Sequence, residues 1–249
     1  MVNRIFSALI VLFAFSASAI AQTKVIPDDS KLLYLKEFSG GPIIHSGGWG
    51  MTLRYSKLTV KEVKLLYELD IVNLKHPKEI KIVNPFREEA RSYVFGKKNV
   101  FIPIRTGIGS DKLLFDKAMK SGVEVRVSGV AGLSHGIIKP VYLRILKDVP
   151  SSNTQVERYD ETRHNRQNIL GSAGFFEGID QIGYLPGLFV KGGLSFDWGK
   201  DDEKIKALEV GAVIDAYISQ APILATFNGS ENKQYFITFY ATVLFGKKW

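Results

Sequence analysis

Residues 235–249, YFITFYATVLFGKKW, end the chain with an alternating stretch. The apolar residues at every second position are Tyr235, Ile237, Phe239, Ala241, Val243 and Phe245. The positions between them include Thr238, Tyr240 and Thr242, and the last residue is Trp249. Because side chains alternate between the two faces of a β-strand, one face is apolar and the other is semi-polar. This pattern is typical of the closing strand of a membrane β-barrel, although a soluble edge strand can show the same alternation.

Residues 1–21 have the pattern of a secretory signal peptide. Arg4 is the basic residue, residues 5–15 are the apolar core, and Ala19-Ile20-Ala21 is the cleavage motif, so we expect Gln22 to follow the cleavage site after Ala21. The alternative is a transmembrane anchor, but the apolar core is shorter than the roughly 20 residues that a spanning helix needs. The chain has no cysteine, which excludes a lipidated cysteine, a disulfide framework and a thiolate metal site.

After the signal peptide, no segment is a continuous apolar span of transmembrane length. A membrane protein exported without such helices must form a closed barrel, because unpaired backbone groups cannot be satisfied in lipid. The net charge is +8, and the basic residues are scattered, with lysine pairs near predicted turns at 97–98 and 247–248. This distribution indicates loops at a charged membrane surface and argues against a nucleic-acid partner.

The alternation begins at Ile43 and recurs to the end of the chain. It predicts strands at 43–56, 63–74, 99–108, 122–130, 139–146, 185–197, 204–218 and 235–249. We therefore predict an all-β fold, an antiparallel transmembrane β-barrel of about eight strands, over residues 43–249, after a periplasmic lead-in at 22–42. A further hairpin around Gly96 would raise the strand count to ten.

The predicted strand order also predicts which connections share an end of the barrel. If the C-terminus is periplasmic, the long gaps 147–184 and 219–234 are outside, and the short connections 131–138 and 198–203 are inside. Long outer loops and short periplasmic turns are the expected arrangement. Two connections break this rule, since 57–62 is short but outer and 75–98 is long but periplasmic.

The faces opposite the apolar rows carry six basic and six acidic side chains. These are Arg54, Lys64, Glu68, Asp70, Arg105, Glu124, Arg126, Arg144, Lys191, Asp197, Glu209 and Asp215. Charged side chains at mid-depth in lipid are costly, so we expect all twelve to face the lumen. An eight-stranded barrel is narrow enough to be filled by side chains. A paired charge network that plugs the lumen is therefore favoured over an open pore, which one sign of charge would mainly line.

Two histidine–serine neighbours are candidate catalytic pairs, His45-Ser46 and Ser134-His135. Adjacent residues of a strand point to opposite faces, so neither pair can act as its own dyad without a bulge. No carboxylate is evidently placed to orient either histidine. We expect no catalytic, metal-binding or cofactor-binding residues. The charged segment 148–183 is either a loop that contacts protein or lipopolysaccharide or a solvated loop.

Residues from about 40 to 249 resemble a family of uncharacterised outer-membrane β-barrel proteins of Bacteroidota-type bacteria. The stretches that carry the resemblance are GVEVRVSGVAGLSHGIIKPVYLRIL (122–146), GSAGFFEG (171–178), LPGLFVKGGLSFDWG (185–199), ALEVGAVIDAYIS (207–219) and YFITFYATVLFGKKW (235–249). The resemblance implies a barrel fold and location in the outer membrane of a Gram-negative cell. It implies no reaction.

These patterns predict a non-catalytic, integral outer-membrane barrel that is structural or is an accessory subunit of an outer-membrane assembly. The expected partners are outer-membrane lipid, lipopolysaccharide and other outer-membrane proteins. The first alternative is a narrow, porin-like pore for ions or small solutes. The second alternative is an enzyme that modifies lipid A.

Overall fold

The computed structural model describes residues 35–60, 62–85, 89–117, 122–147, 154–201, 203–225 and 232–249. The predicted signal peptide, with its cleavage site at Ala21 and Gln22, lies outside the described residues. The strands that the described residues form are β1 (Lys36–His45), β2 (Gly48–Val60), β3 (Val63–Leu74), β4 (Lys81–Ile82), β5 (Tyr93–Val94), β6 (Asn99–Phe115), β7 (Glu124–Pro140), β8 (Tyr142–Leu146), β9 (Thr154–Arg158), β10 (Ile169–Ser172), β11 (Gly183–Asp197), β12 (Lys204–Tyr217) and β13 (Tyr235–Lys248).

Eight antiparallel strands close into a barrel in the order β1-β13-β12-β11-β7-β6-β3-β2. This closure confirms the predicted all-β, eight-stranded barrel. Paired residues can be followed once around the wall, and the row that begins at Phe245 returns to β13 at Tyr235, ten positions away (245 to 235). The row passes through Gly40, Leu53, Leu69, Thr106, Leu133, Leu188 and Ala216. The strands are therefore staggered and tilted against the barrel axis, as closure of a barrel requires.

The alternation that suggested the fold is visible along each wall strand. In β13, Phe239 is 69% exposed on the outside, whereas Thr242 is 1% exposed inside. The seam between β1 and β13 needs a glycine, because a Cβ on Gly41 would lie 1.9 Å from the carbonyl oxygen of Val243. Among the described residues, no helix is long and apolar enough to cross a membrane.

Three of the predicted wall strands were wrong, although their number was right. The wall begins at Lys36, so the predicted lead-in 22–42 contains most of β1. The predicted strand 43–56 is wrong as a single strand, because it runs through the turn 46–47 between β1 and β2. The predicted strands 122–130 and 139–146 are not two wall strands, because β7 continues from Glu124 to Pro140 as one strand. The predicted hairpin around Gly96 is also wrong, since β5 pairs with β4 and not with the start of β6.

The connections of the wall strands divide between the two ends of the barrel. We call the end with Lys36 and Trp249 the terminal end, and the other the loop end. The terminal end has the connections 61–62, 116–123 and 198–203, whereas the loop end has 46–47, 75–98, 141–182 and 218–234. Both exceptions to the predicted topology disappear, because 75–98 joins the long connections and the turn before β3 joins the short ones. One short connection, the turn 46–47, lies at the loop end.

The loop end carries structure of its own beyond the barrel. Strands β10, β8 and β9 form a three-stranded sheet, and β4 pairs with β5. A separate apolar core lies beneath them, formed by Tyr93, Leu143, Ile145, Tyr159, Ile169 and Ala225. The predicted charged loop 148–183 therefore contains two strands of this sheet, β9 and β10, and a 3-10 turn at Ile179–Gln181 that leads into β11.

Candidate functional site

The structure places most of the predicted lumen charges inside the barrel. Nine are buried: Arg54, Lys64, Glu68, Asp70, Arg105, Lys191, Asp197, Glu209 and Asp215. Glu124 and Arg126 are half-buried near the terminal end. Arg144 was wrongly predicted, because it is exposed on β8 and outside the barrel wall. Its neighbours Leu143 and Ile145 face the apolar core of the loop end instead, so the alternation was real but belonged to a different sheet.

A central network of hydrogen-bonded charges fills the middle of the barrel. The Arg54 guanidinium donates to Glu68 Oε2, and its Nη1 donates to Glu209 Oε2 at 2.6 Å. Lys191 Nζ lies 2.6 Å from Glu68 Oε1 and 3.0 Å from Asp70 Oδ2. Arg54 and Lys191 thus share the Glu68 carboxylate, which joins β2, β3 and β11. The contact of Arg54 with Glu209 adds β12 to the network.

Arg105 completes the network on the loop-end side. Its Nε and Nη2 donate to the two oxygens of Asp215 at 2.8 and 2.7 Å, a bidentate pairing. Arg105 Nη1 is also 4.0 Å from Asp70 Oδ2, which connects this pair to Lys191. The Ser134 hydroxyl donates to Asp215 Oδ1 at 3.1 Å.

The central network contains one more carboxylate than cations. Its cations are Arg54, Arg105 and Lys191, and its carboxylates are Glu68, Asp70, Glu209 and Asp215. Neutral donors stabilise the surplus charge, because the Tyr240 hydroxyl donates to Glu209 Oε1 at 2.6 Å and Ser134 donates to Asp215. Lys191 Nζ also lies 4.6 Å from the centre of the Tyr240 ring, within the range of a cation–π interaction.

A second group of ion pairs lies at the terminal end. Lys64 Nζ is 2.6 Å from Glu37 Oε1, and Lys248 Nζ is 3.3 Å from Asp197 Oδ2. Arg126 pairs with Glu124 at 2.5 Å and lies 4.0 Å from Asp111. Sequence reasoning missed several of these residues. Those missed are Glu37, Asp111, Lys117 and Lys248. Lys248 lies on the inward face of the predicted strand 235–249, and extending the alternation of the predicted strand 99–108 by three residues would have found Asp111.

An apolar cap closes the loop end of the lumen. The segment after β12 folds inward, so that Ala221, Ile223 and Leu224 pack against Leu74, Phe101, Leu185, Tyr217 and Phe236. The Phe101 and Tyr217 rings meet edge to face, with centroids 5.0 Å apart. The alternation could not reveal this cap, because its residues belong to a connection and not to a wall strand.

Burial shows how completely these groups fill the barrel. Glu209, Asp70 and Asp215 are 0% exposed, Arg105 is 1% exposed and Lys191 is 2% exposed. A water-filled channel past these side chains would expose them, so the central network is dry. Buried, paired and hydrogen-bonded charges of this kind fix side chains in position. Among the described residues, no group of three or more His, Asp and Glu side chains is arranged to hold a metal ion.

The two histidine–serine pairs are not assembled as catalytic dyads. Ser134 faces inward and contacts Asp215 and the Tyr217 hydroxyl, whereas His135 faces outward on the same strand. His45 is buried, and its Nδ1 accepts a hydrogen bond from the Gly47 N–H at 3.2 Å. The Ser46 hydroxyl instead lies 3.3 Å from the Phe239 N–H, which donates to it.

The outward face of the wall is a continuous apolar band. Its exposed side chains include Met51, Leu53, Ile71, Ile108, Leu133, Leu188, Val190, Val210, Ile214, Ile237 and Phe239. Exposed aromatic residues border it at the terminal end (Phe38, Phe115, Trp198, Phe245 and Trp249) and at the loop end (Trp49, Phe175, Phe176, Tyr184 and Tyr235).

A lysine collar surrounds the terminal end just beyond the apolar band. We use this name for Lys36, Lys57, Lys112, Lys204, Lys206 and Lys247, which are all exposed and all alternate with inward-facing residues. Lysine side chains at such a boundary can lay their methylene groups on apolar surface while the ammonium groups remain in water.

Comparison with known proteins adds a remote structural likeness. No protein-family model matches the chain, and no curated protein matches it. Among solved structures, it is similar to the crystal structure of Neisserial surface protein A (NspA), with 10% sequence identity and a TM-score of 0.39. The match covers 87% of this chain and 96% of the neisserial chain. The predicted relationship to a Bacteroidota-type family stays a prediction.

Proposed function

We propose that the protein is an integral β-barrel of the bacterial outer membrane, with its terminal end in the periplasm and its loop end outside. The apolar band between two aromatic borders supports this location, because transmembrane barrels present such a band to lipid. The short connections at the terminal end and the long ones at the loop end support the orientation. The predicted signal peptide is consistent with export.

We propose further that the protein is non-catalytic and acts as a structural or accessory subunit, not as a pore. The observation that carries this proposal is the dry central network, in which each of the three cations contacts at least one carboxylate. A solute would have to break these pairs and displace the apolar cap. Neither histidine–serine pair supports the lipid A-modifying alternative.

The surfaces left for a partner are then the outer wall and the loop end. The loop-end sheet β8–β10 has a core of its own, so it can present a defined surface above the membrane. Arg144, exposed on β8, is one of the basic groups on this surface. We propose that this sheet contacts lipopolysaccharide or another outer-membrane protein, and that nucleic acid is not a partner.

Single-channel recording on the purified wild-type protein tests the closed-barrel proposal. Protein folded into planar bilayers should give no stable conductance. Heat-dependent mobility on a denaturing gel shows that the barrel is closed, and flotation with lipid vesicles shows that it is inserted. Stable, reproducible conductance steps would replace the accessory role with the pore. Recovery of the protein as a soluble periplasmic species would overturn the membrane location itself.

A further inference from the structure

One polar cluster lies on the outward, otherwise apolar face of the wall. It consists of Thr106 on β6, His135 on β7 and Tyr184 on β11. His135 Nε2 lies 3.4 Å from Thr106 Oγ1, and Nδ1 lies 2.8 Å from the Tyr184 hydroxyl. The His135 and Tyr184 rings stack with their centroids 6.0 Å apart.

The position of His135 is unusual for this wall. Among the described residues of the eight wall strands, it is the one imidazole, ammonium, guanidinium or carboxylate side chain that faces outward between the lysine collar and the level of Tyr184. An ionisable group within the membrane-facing zone is costly, and such groups usually mark functional sites. The cluster therefore requires an explanation beyond wall packing.

Counting hydrogens shows that the cluster has a donor to spare. A neutral histidine ring carries one N–H, and each of the two hydroxyls carries one O–H. These three hydrogens serve two contacts within the cluster, and the described residues offer the three side chains no further hydrogen bond. Whichever tautomer His135 adopts, one hydroxyl hydrogen, on Thr106 or on Tyr184, remains free to donate to an acceptor in the lipid phase.

An apolar groove approaches the cluster from the terminal end. It is open to the outside, and its volume is ≈ 670 Å³. Its lining is mainly apolar, with Leu53, Tyr67, Leu69, Ala131 and Leu133 beside Thr106, and it also contains atoms of Arg54 and Glu68. This volume lies in the range of about 300–1,000 Å³ that is typical of small-molecule sites. Thr106 belongs both to the groove and to the polar cluster, so the groove ends at the cluster that holds the free donor.

We propose that this groove and cluster form a binding site for one acyl lipid of the membrane. One acyl chain lies in the groove, and the carbonyl oxygen of its acyl linkage accepts the free hydroxyl hydrogen of the cluster. An acyl chain matches the apolar lining, and its carbonyl is an acceptor without a donor of its own. The inference rests on the proposed membrane location, because the site faces outward on the wall.

Native mass spectrometry of the folded protein with two phospholipids tests the proposal. The probes are phosphatidylglycerols of equal chain length, one with ester-linked chains and the other with ether-linked chains that lack the carbonyl. The wild-type protein should retain one ester lipid about fivefold more tightly than the ether lipid, as expected for one net hydrogen bond. Equal retention of the two lipids would overturn the carbonyl contact.

Two sets of variants separate the groove from the cluster. The triple variant Thr106→Val, His135→Phe and Tyr184→Phe removes both hydroxyls and also the ring N–H that their loss would free, so it should abolish the preference for the ester lipid. Ala131→Trp should fill the groove and weaken retention of both lipids, whereas Ala241→Trp on the outward face of β13 should leave retention unchanged. If Ala131→Trp and Ala241→Trp behave alike, or if the groove instead pairs two copies in the spectra, the lipid site is wrong. Heat-dependent gel mobility reports barrel closure and vesicle flotation reports membrane insertion, both independently of lipid retention, so failure of this site would be distinguishable from failure of the proposed membrane location.

Discussion

Glu209 is the residue at which the central network is most sensitive to change. Its carboxylate accepts hydrogen bonds from Arg54 and from the Tyr240 hydroxyl, and it is fully buried. Glu209→Ala should lower the free energy of unfolding by about 3–5 kcal/mol, because it leaves Arg54 buried with less compensation. Reversible folding titrations in lipid vesicles measure this change.

The matched control is Glu203→Ala, in the turn between β11 and β12. Glu203 has the same side chain but is exposed. Its removal should change the free energy of unfolding by less than about 0.5 kcal/mol, as for most surface substitutions. Equal effects of the two variants would show that the network contributes nothing to stability.

A substitution at Val210, the neighbour of Glu209 on β12, tests whether the opposite face of the strand contacts lipid. Val210 is exposed on the apolar band, at mid-depth by the proposed orientation. Val210→Arg should destabilise the barrel in vesicles by about 2–4 kcal/mol, because the guanidinium would face hydrocarbon. Ser219→Arg, exposed beyond the end of β12, should have little effect. The assignment of faces fails if both variants unfold at the same denaturant concentration.

The sequence could predict which residues share the interior but not how they pair. Alternation places Arg54 and Glu209 on inward faces, because it depends only on neighbours along the chain. Their contact depends on the stagger of the barrel, which brings together residues 155 positions apart. Arg144 shows the converse, since local alternation cannot tell a wall strand from a strand of the loop-end sheet.

At the level of elements, the sequence failed where glycine and proline interrupt the apolar rows. In β1, Gly40-Gly41-Pro42 breaks the pattern, although Gly41 is needed for close approach to β13. In β7, Gly129, Gly132 and Gly136 weaken the alternation. The prediction therefore ended a strand at residue 130 and began another at 139, although β7 is one strand of 17 residues. The prediction missed β1 as a separate strand and divided β7 into two. The strand count of eight was therefore correct, but the order of the strands around the barrel was not.

The stability of the loop-end sheet and its apolar core should decrease at alkaline pH. Burial, with the nearby Glu161 and Asp160 carboxylates, raises the pKa of Tyr159 to about 12. Because the folded pKa is higher than the usual value of about 10, the associated stability is complete below pH 10 and is lost as pH rises towards 12. Tyrosinate absorbance can be titrated in the wild type and in Tyr159→Phe. The difference between the two curves is the titration of Tyr159, and it should be centred near pH 12. A difference curve centred near pH 10 would contradict the raised pKa of Tyr159.

At the level of the whole molecule, the division between short and long connections predicts which end faces the cell exterior. An epitope tag inserted between Ser219 and Gln220 should bind antibody on intact cells. The same tag inserted between Lys200 and Asp201, in a terminal-end turn, should bind only after the outer membrane is permeabilised. The reverse result would invert the proposed orientation while leaving the barrel fold unaffected.

The central network also constrains the order in which the protein can assemble. Arg54 and Glu68 belong to the N-terminal hairpin β2–β3, whereas Lys191 and Glu209 belong to β11 and β12. A growing, open sheet would pair Arg54 with Glu68 within this hairpin, but it would hold Lys191 and Glu209 apart from their partners in the hairpin until the barrel closed. Contacts between such distant segments form slowly, because closing long chain loops is entropically unfavourable. Pairing of β1 with β13 and expulsion of water from the lumen should therefore occur together, as one late and cooperative event.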